Sequence, residues 1–206
     1  MTINEIGGPV ASVWEGLRPI TKKMLAGALD AGRTATANSQ ASKYSYDARA
    51  DWEVSSLLTA LDERSRSSDI RDDTEKLSEI NLLADTCVRI LESQSASAEV
   101  FVQLAERAIK ENNYDRLDKL SDQLAARYSP SEIAEVVRQT NIPQIRAIAY
   151  ETLAMLSVDA LISLLEDPLY AGIAATALEQ KAFDFESVEA RDIVDRFETE
   201  SGMNGD

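Results

Sequence analysis

Histidine is absent from the 206-residue chain, and cysteine occurs once, at Cys87. Without histidine no side chain titrates near neutrality at its ordinary pKa. Ser-His and Cys-His nucleophile pairs and every His-containing metal site are excluded with it. A single cysteine excludes an intrachain disulfide and a thiolate zinc cluster. Cys87 falls in an apolar-periodic segment, where a buried, inert thiol is expected. Eight glycines, five prolines and an aromatic fraction of 6% are all low. No Gly-rich phosphate cradle is present, since Gly7-Gly8 has neither a strand before it nor a lysine-serine pair after it.

Positive charge is also scarce. Lys and Arg total 21 against 36 Asp and Glu, a net charge of −15. Such a surface repels phosphate backbones and anionic headgroups, so neither nucleic acid nor a membrane is an expected partner. The 14 arginines and only 7 lysines fit a high-salt cytoplasm, where charge is screened, and an ordinary acidic cytosolic protein alike. No apolar run reaches the roughly 18 residues of a membrane span. The opening Met1-Thr2-Ile3-Asn4-Glu5 lacks the basic and apolar regions of a signal peptide. The expected location is the cytoplasm.

What the chain has is helix-forming sequence. Hydrophobic residues make up 44% and charged residues 28%, ordinary values for a folded domain. Apolar residues recur at steps of three and four from Val10 to Leu29, with a kink expected at Pro19. Residues 30–45 are small, polar and aperiodic, the best linker candidate. A second helix is expected over about 46–62 with Trp52, Leu57, Leu58 and Leu61 inward and Trp14 packed on Trp52. The charged stretch 63–69 reads as a loop. Helices then follow at about 72–92, 98–111 and 115–128. Ser129-Pro130-Ser131-Glu132 opens the next one as a capping box with proline in the first turn. Further pairs lie at 143–156 with 158–166 and 169–181 with 187–198. Val/Ile/Thr alternation is missing, so the fold class is all-α.

The helices repeat. Leu104, Ile133 and Leu161 open three similar second-helix segments, offset by 29 and then 28 in the numbering. Leu117, Ile145 and Ile173 are each 28 apart, as are Tyr114, Ile142 and Tyr170. A helix pair of this size cannot bury its apolar face alone, and stacking the next pair on it completes the core.

The segment from Pro143 to Leu156 resembles the first helix of a HEAT-like repeat, in the short variety named after the phycobilisome lyases. Ile145, Arg146, Ala149, Leu153 and Leu156 carry the likeness, and Leu164 to Pro168 resembles the family's join into the next repeat. Ala174 replaces the arginine of the following unit, Lys181 stands where its leucine would be, and the unit near Tyr114 matches poorly. The resemblance implies a short α-solenoid of HEAT-like helix pairs over 70–199, behind an N-terminal helical extension over 1–65. Residues 200–206 are expected to form a disordered tail. In HEAT-like stacks the second helices line the concave face, where partners sit. Glu106, Arg107, Glu135 and Arg138 are therefore the expected partner contacts.

Enzymatic readings find no support. The carboxylates Asp115, Asp118 and Asp122 share one helical face beside Arg116 and Lys119, which suits a solvated surface. Asp72, Asp73 and Glu75 stand where a helix begins and complement its dipole. Neither group follows a calcium-loop pattern. No catalytic, cofactor or metal residue is assigned. The expected function is a scaffold or adaptor that binds another protein. The alternative is an assembly component that docks through its N-terminal arm.

Overall fold

The computed structural model describes residues 6–33 and 46–203. Among these the protein is all-α: twelve helices and no strand. The expected linker lies outside the described residues from 34 to 45, as do the last three residues of the tail. The chain divides into two compact units, Met1–Ser95 and Ala96–Asp206. That boundary falls past the sequence expectation near 65–70 because the long helix before it packs on the earlier helices.

The first unit contains α1 (Gly8–Gly16), α2 (Pro19–Arg33), α3 (Ala48–Ser65), the single turn α4 (Ser68–Arg71) and α5 (Thr74–Gln94). Helix α3 is the hub, packing on α1 and α5, while α5 also meets α2. The expected kinked helix is two helices. Pro19 cannot donate a backbone hydrogen bond and restricts the residue before it, so the break falls at Leu17-Arg18 and proline opens α2. The stretch 63–69, expected as a loop, carries the end of α3 and the start of α4. Arg64 holds it there, its guanidinium forked onto Asp69 at 3.0 and 2.7 Å and its Nε donating to the Ile6 carbonyl at 3.0 Å.

Leu57, Leu58 and Leu61 are buried as expected, but Trp52 is 64% exposed. It stands five positions before Leu57 and so falls off the three-and-four stripe. Its neighbour Glu53 points inward instead, 1% exposed. Cys87 is buried and in no disulfide.

The second unit contains α6 (Ala98–Lys110), α7 (Tyr114–Arg127), α8 (Pro130–Gln139), α9 (Pro143–Met155), α10 (Val158–Leu165), α11 (Ala171–Asp184) and α12 (Val188–Met203). Helix α12 thus enters the segment expected as a tail. Sequence neighbours pack as α6 on α7, α8 on α9, α10 on α11 and α11 on α12. Alternate helices also pack in two runs: α6, α8 and α10 in one, α7, α9 and α11 in the other. From α9 to α10 the chain turns by 116°.

Buried positions recur along this unit. Leu104, Ile133 and Leu161 are all buried, as their alignment requires. In the other run Leu117 and Ile145 are buried but Ile173 is only half-buried, and Ala174 takes the interior position. The buried phase of these helices is one position longer than the spacing of matching residue types. Leu120, Ala149 and Leu178 form one such series and Leu124, Leu153 and Ala182 another. One residue is about 100° of helix turn, so residue types matched one position short leave the faces rotated.

Caps explain where the helices begin. The side chains of Asp47, Asp73, Asn113, Ser129 and Ser157 each accept from the backbone N–H three residues on, at 2.8–3.3 Å. Several polar groups cap a neighbouring helix rather than their own. Ser129 caps α8 as expected, yet Glu132 reaches across to accept from the Ala98 N–H of α6 at 2.7 Å. The Arg146 guanidinium donates to the Val137 carbonyl at the end of α8 at 2.6 Å. Lys181 donates to the Ala154 carbonyl at the end of α9 at 2.9 Å, and Arg191 to Ala182 of α11 at 3.2 Å. Orphan carbonyls and amides at helix ends are thereby satisfied by the adjacent helix, which ties packing to capping.

Candidate protein-binding surface

The four residues singled out from the sequence lie on two packed helices, α6 and α8. Each is engaged within its own helix or turn. Glu106 pairs with Lys110 at 2.9 Å and Arg107 with Glu111 at 2.9 Å. Glu135 takes Arg138 at 2.8 Å and Gln139 at 3.0 Å, and the Tyr170 hydroxyl at the start of α11 donates to it at 3.2 Å. The Arg138 hydrogen bond outweighs partial burial and holds the Glu135 carboxyl below its ordinary pKa; the same pairing raises that of Arg138. Burial, then Glu135, raises the Tyr170 phenol. Glu106 and Glu135 follow the longer, buried phase, and so mark the same place in successive helices of one run.

A different surface is open. Between α9 and α11 lies a groove of about 450 Å³ lined by Ala147, Tyr150, Glu151, Thr176, Gln180, Asp184 and Phe185. The cations beside it are held by the chain itself. Arg146 lies 5.7 Å from the Tyr150 ring centroid and Lys181 5.6 Å from that of Phe185. Each also donates to a carbonyl at a helix end, as described above. Glu151 and Asp184 are exposed and make no ion pair among the described residues. Close by in sequence stand exposed apolar side chains: Phe183 is 83% exposed, Phe185 half exposed, and Val188 more so.

These residues were missed in the sequence because they lie off the buried stripe of their helices, two of the aromatics by a single place. Tyr150 follows Ala149, and Phe183 follows Ala182. An aromatic residue just outside the apolar phase of a helix was the available signal.

The first unit holds a second polar cluster, which is structural. Because Arg18 sits at the break before α2, its backbone N–H is free to donate to Glu53 at 3.0 Å. Its Nε donates to the same carboxylate at 3.0 Å, and the Thr21 hydroxyl also donates there. The rest of the guanidinium forks onto Asp47 at 2.9 and 2.7 Å. Burial works against the Glu53 charge, but Thr21 and both donors of Arg18 outweigh it and lower its pKa. Arg18 and the Ala50 N–H hold Asp47 well below the usual carboxylate range, and Asp47 and Glu53 together raise Arg18. The polar groups of this knot are paired with one another within the chain.

Among the described residues no cluster of three or more Asp, Glu or Cys is placed to hold a metal ion. Nor is any single helix there long and apolar enough to cross a membrane. No family model, curated protein or solved structure matches the chain.

Proposed function

We propose that residues 96–206 form a short solenoid of helix pairs, of the HEAT-like kind, and serve as a scaffold that binds another protein. The observation that carries this reading is the open groove between α9 and α11, lined in part by exposed Phe185, with Phe183 and Val188 exposed close by in sequence. An open cleft with aromatic side chains in its lining and polar groups around it is a common form of binding surface in folded proteins. The solenoid reading draws on the alternate-helix packing and on the recurring interior series, Leu120 with Ala149 and Leu178 among them. Two partner surfaces are available to such a stack: the groove, and the charged row of Glu106, Arg107, Glu135 and Arg138. Its setting is the cytoplasm, which suits the one buried thiol, Cys87.

Docking through an N-terminal arm is the less favoured alternative. Helices α1 and α2 are packed into the first unit and fastened by Arg18 and Glu53.

The test is site-specific photo-crosslinking in the native cell. Crosslinkers replacing Thr176 or Glu106 are expected to trap one stoichiometric protein partner, whereas one at exposed Asp118 on α7 is not. Equal, diffuse trapping at all three sites would remove the scaffold reading.

A further inference from the structure

The groove's chemistry narrows what it takes. Its apolar wall is built from the Tyr150 and Phe185 rings, and its charged groups are the carboxylates of Glu151 and Asp184. No cation among the described residues lines it. The two nearest, Arg146 and Lys181, direct their charge onto the Val137 and Ala154 carbonyls. The surroundings share the sign: residues 143–196 carry ten acidic side chains against four basic ones. An acidic or phosphorylated segment meets repulsion here. A wholly apolar one desolvates two carboxylates without giving them a partner, which is costly. A basic segment meets neither penalty at the carboxylates; Arg146 and Lys181 already stand 5.7 and 5.6 Å from the two ring centroids, so its charged head belongs at the carboxylates and its apolar stem along the rings. The volume lies within the range of about 300–1,000 Å³ typical of small binding clefts, so it takes side chains rather than a folded domain.

We propose that the α9–α11 groove binds a basic, apolar segment of the partner protein. A lysine or arginine head lies between Glu151 and Asp184, and a neighbouring apolar side chain rests on Tyr150 and Phe185. This inference rests on the reading of the second unit as a protein-binding surface, and it specifies the chemistry of the partner.

The experiment uses the full chain and a fluorescein-labelled octapeptide of alternating arginine and leucine, read by fluorescence anisotropy at physiological ionic strength. Two further octapeptides replace arginine with glutamate or leucine with serine. The arginine-leucine peptide is expected to bind, the glutamate peptide not at all, and the serine peptide more weakly. Glu151→Gln with Asp184→Asn is expected to weaken binding about tenfold, the scale of two modest ion pairs. Phe185→Ala is expected to weaken it as well, and it tests the apolar half independently of charge. Asp115→Asn with Asp122→Asn removes the same charge from α7 and is expected to change affinity by less than about twofold. Circular dichroism of each variant confirms that the fold is kept.

Equal weakening by the two double variants would show diffuse attraction to an acidic protein and overturn the inference. So would failure of the arginine-leucine peptide to bind at millimolar protein. If crosslinkers at Glu106 still trap a partner while the groove variants bind it normally, the basic-segment inference falls and the scaffold reading stands. Loss of specific trapping at both surfaces removes the scaffold reading itself.

Discussion

The described residues of the two units are helical in both, but the polar contacts within each unit differ in kind. In the first unit an apolar core that includes Val54, Leu57, Leu58 and Ile80 is supplemented by polar contacts that join distant segments. Arg18 reaches Asp47 and Glu53, and Arg64 reaches back to Ile6. In the second unit the interior is built from series such as Leu124, Leu153 and Ala182, and the polar contacts close the ends of adjacent helices. An ionic knot around one buried carboxylate, Glu53, gives a unique arrangement but is fragile to the loss of that member. In the proposed stack, a recurring apolar face spreads stability over equivalent positions. Separate perturbations should therefore split the two units.

The largest expected effect is in the knot. Glu53→Ala leaves Arg18 and Thr21 facing a vacated carboxylate and is expected to cost about 3–5 kcal/mol in urea unfolding. Hydrogen exchange is expected to place that loss in residues 6–33 and 46–95, with the second unit unchanged. Exchange loss spread evenly over both units would erase the distinction.

Acid sharpens the same contrast. Asp47, Glu53, Asp69 and Asp73 in the first unit have lowered pKa values, against Glu135 in the second. A carboxyl whose folded pKa is lowered contributes stability that is present above its unfolded pKa, about 4, and is lost as pH falls through the folded value. Below pH 4 the first unit is therefore expected to lose exchange protection ahead of the second.

In the second unit, Leu153→Ala removes a fully buried side chain and is expected to cost about 3 kcal/mol. Leu124→Ala, 29 residues earlier, is expected to cost a similar amount, as the proposed stack requires of equivalent positions. Glu132→Ala uncaps α6 from outside and is expected to cost about 1 kcal/mol, seen as faster amide exchange at Ala98. The smallest effect has the opposite sign. Glu186 sits at a φ of 50°, a left-handed conformation costly for a side-chain-bearing residue. Glu186→Gly is expected to raise the melting temperature, by the equivalent of about 1 kcal/mol.

The contrast also explains what the sequence revealed. The helix over Pro130–Gln139 was readable because the Ser129 cap, the proline and the apolar phase coincide there, and the helix over Pro143–Met155 because its proline and apolar phase do. In the first unit no repeat fixes the phase, so hydrophobicity alone assigned Trp52 to the interior. The groove in the structure comes from the opposite failure. Periodicity identifies what a helix buries, while Tyr150, Glu151 and Phe185 are defined by what their own helices leave uncovered. The Glu132 carboxylate looked like half of a local capping box, and only the fold shows its partner on α6. Ile145 and Ile173 matched in spacing and in residue type, yet Ala174 holds the interior place.

The stacking reading has one direct examination: unfolding of a chain ended at Asp167, which lacks α11 and α12. If each helix pair seals the one before it, removing the last pair should leave the other helices formed. Ellipticity per residue at 222 nm would be retained, and unfolding would stay cooperative at a lower urea midpoint. Collapse of the helical signal, or loss of a cooperative transition throughout residues 96–167, would show that the second unit is an indivisible bundle and not a series of stacked pairs.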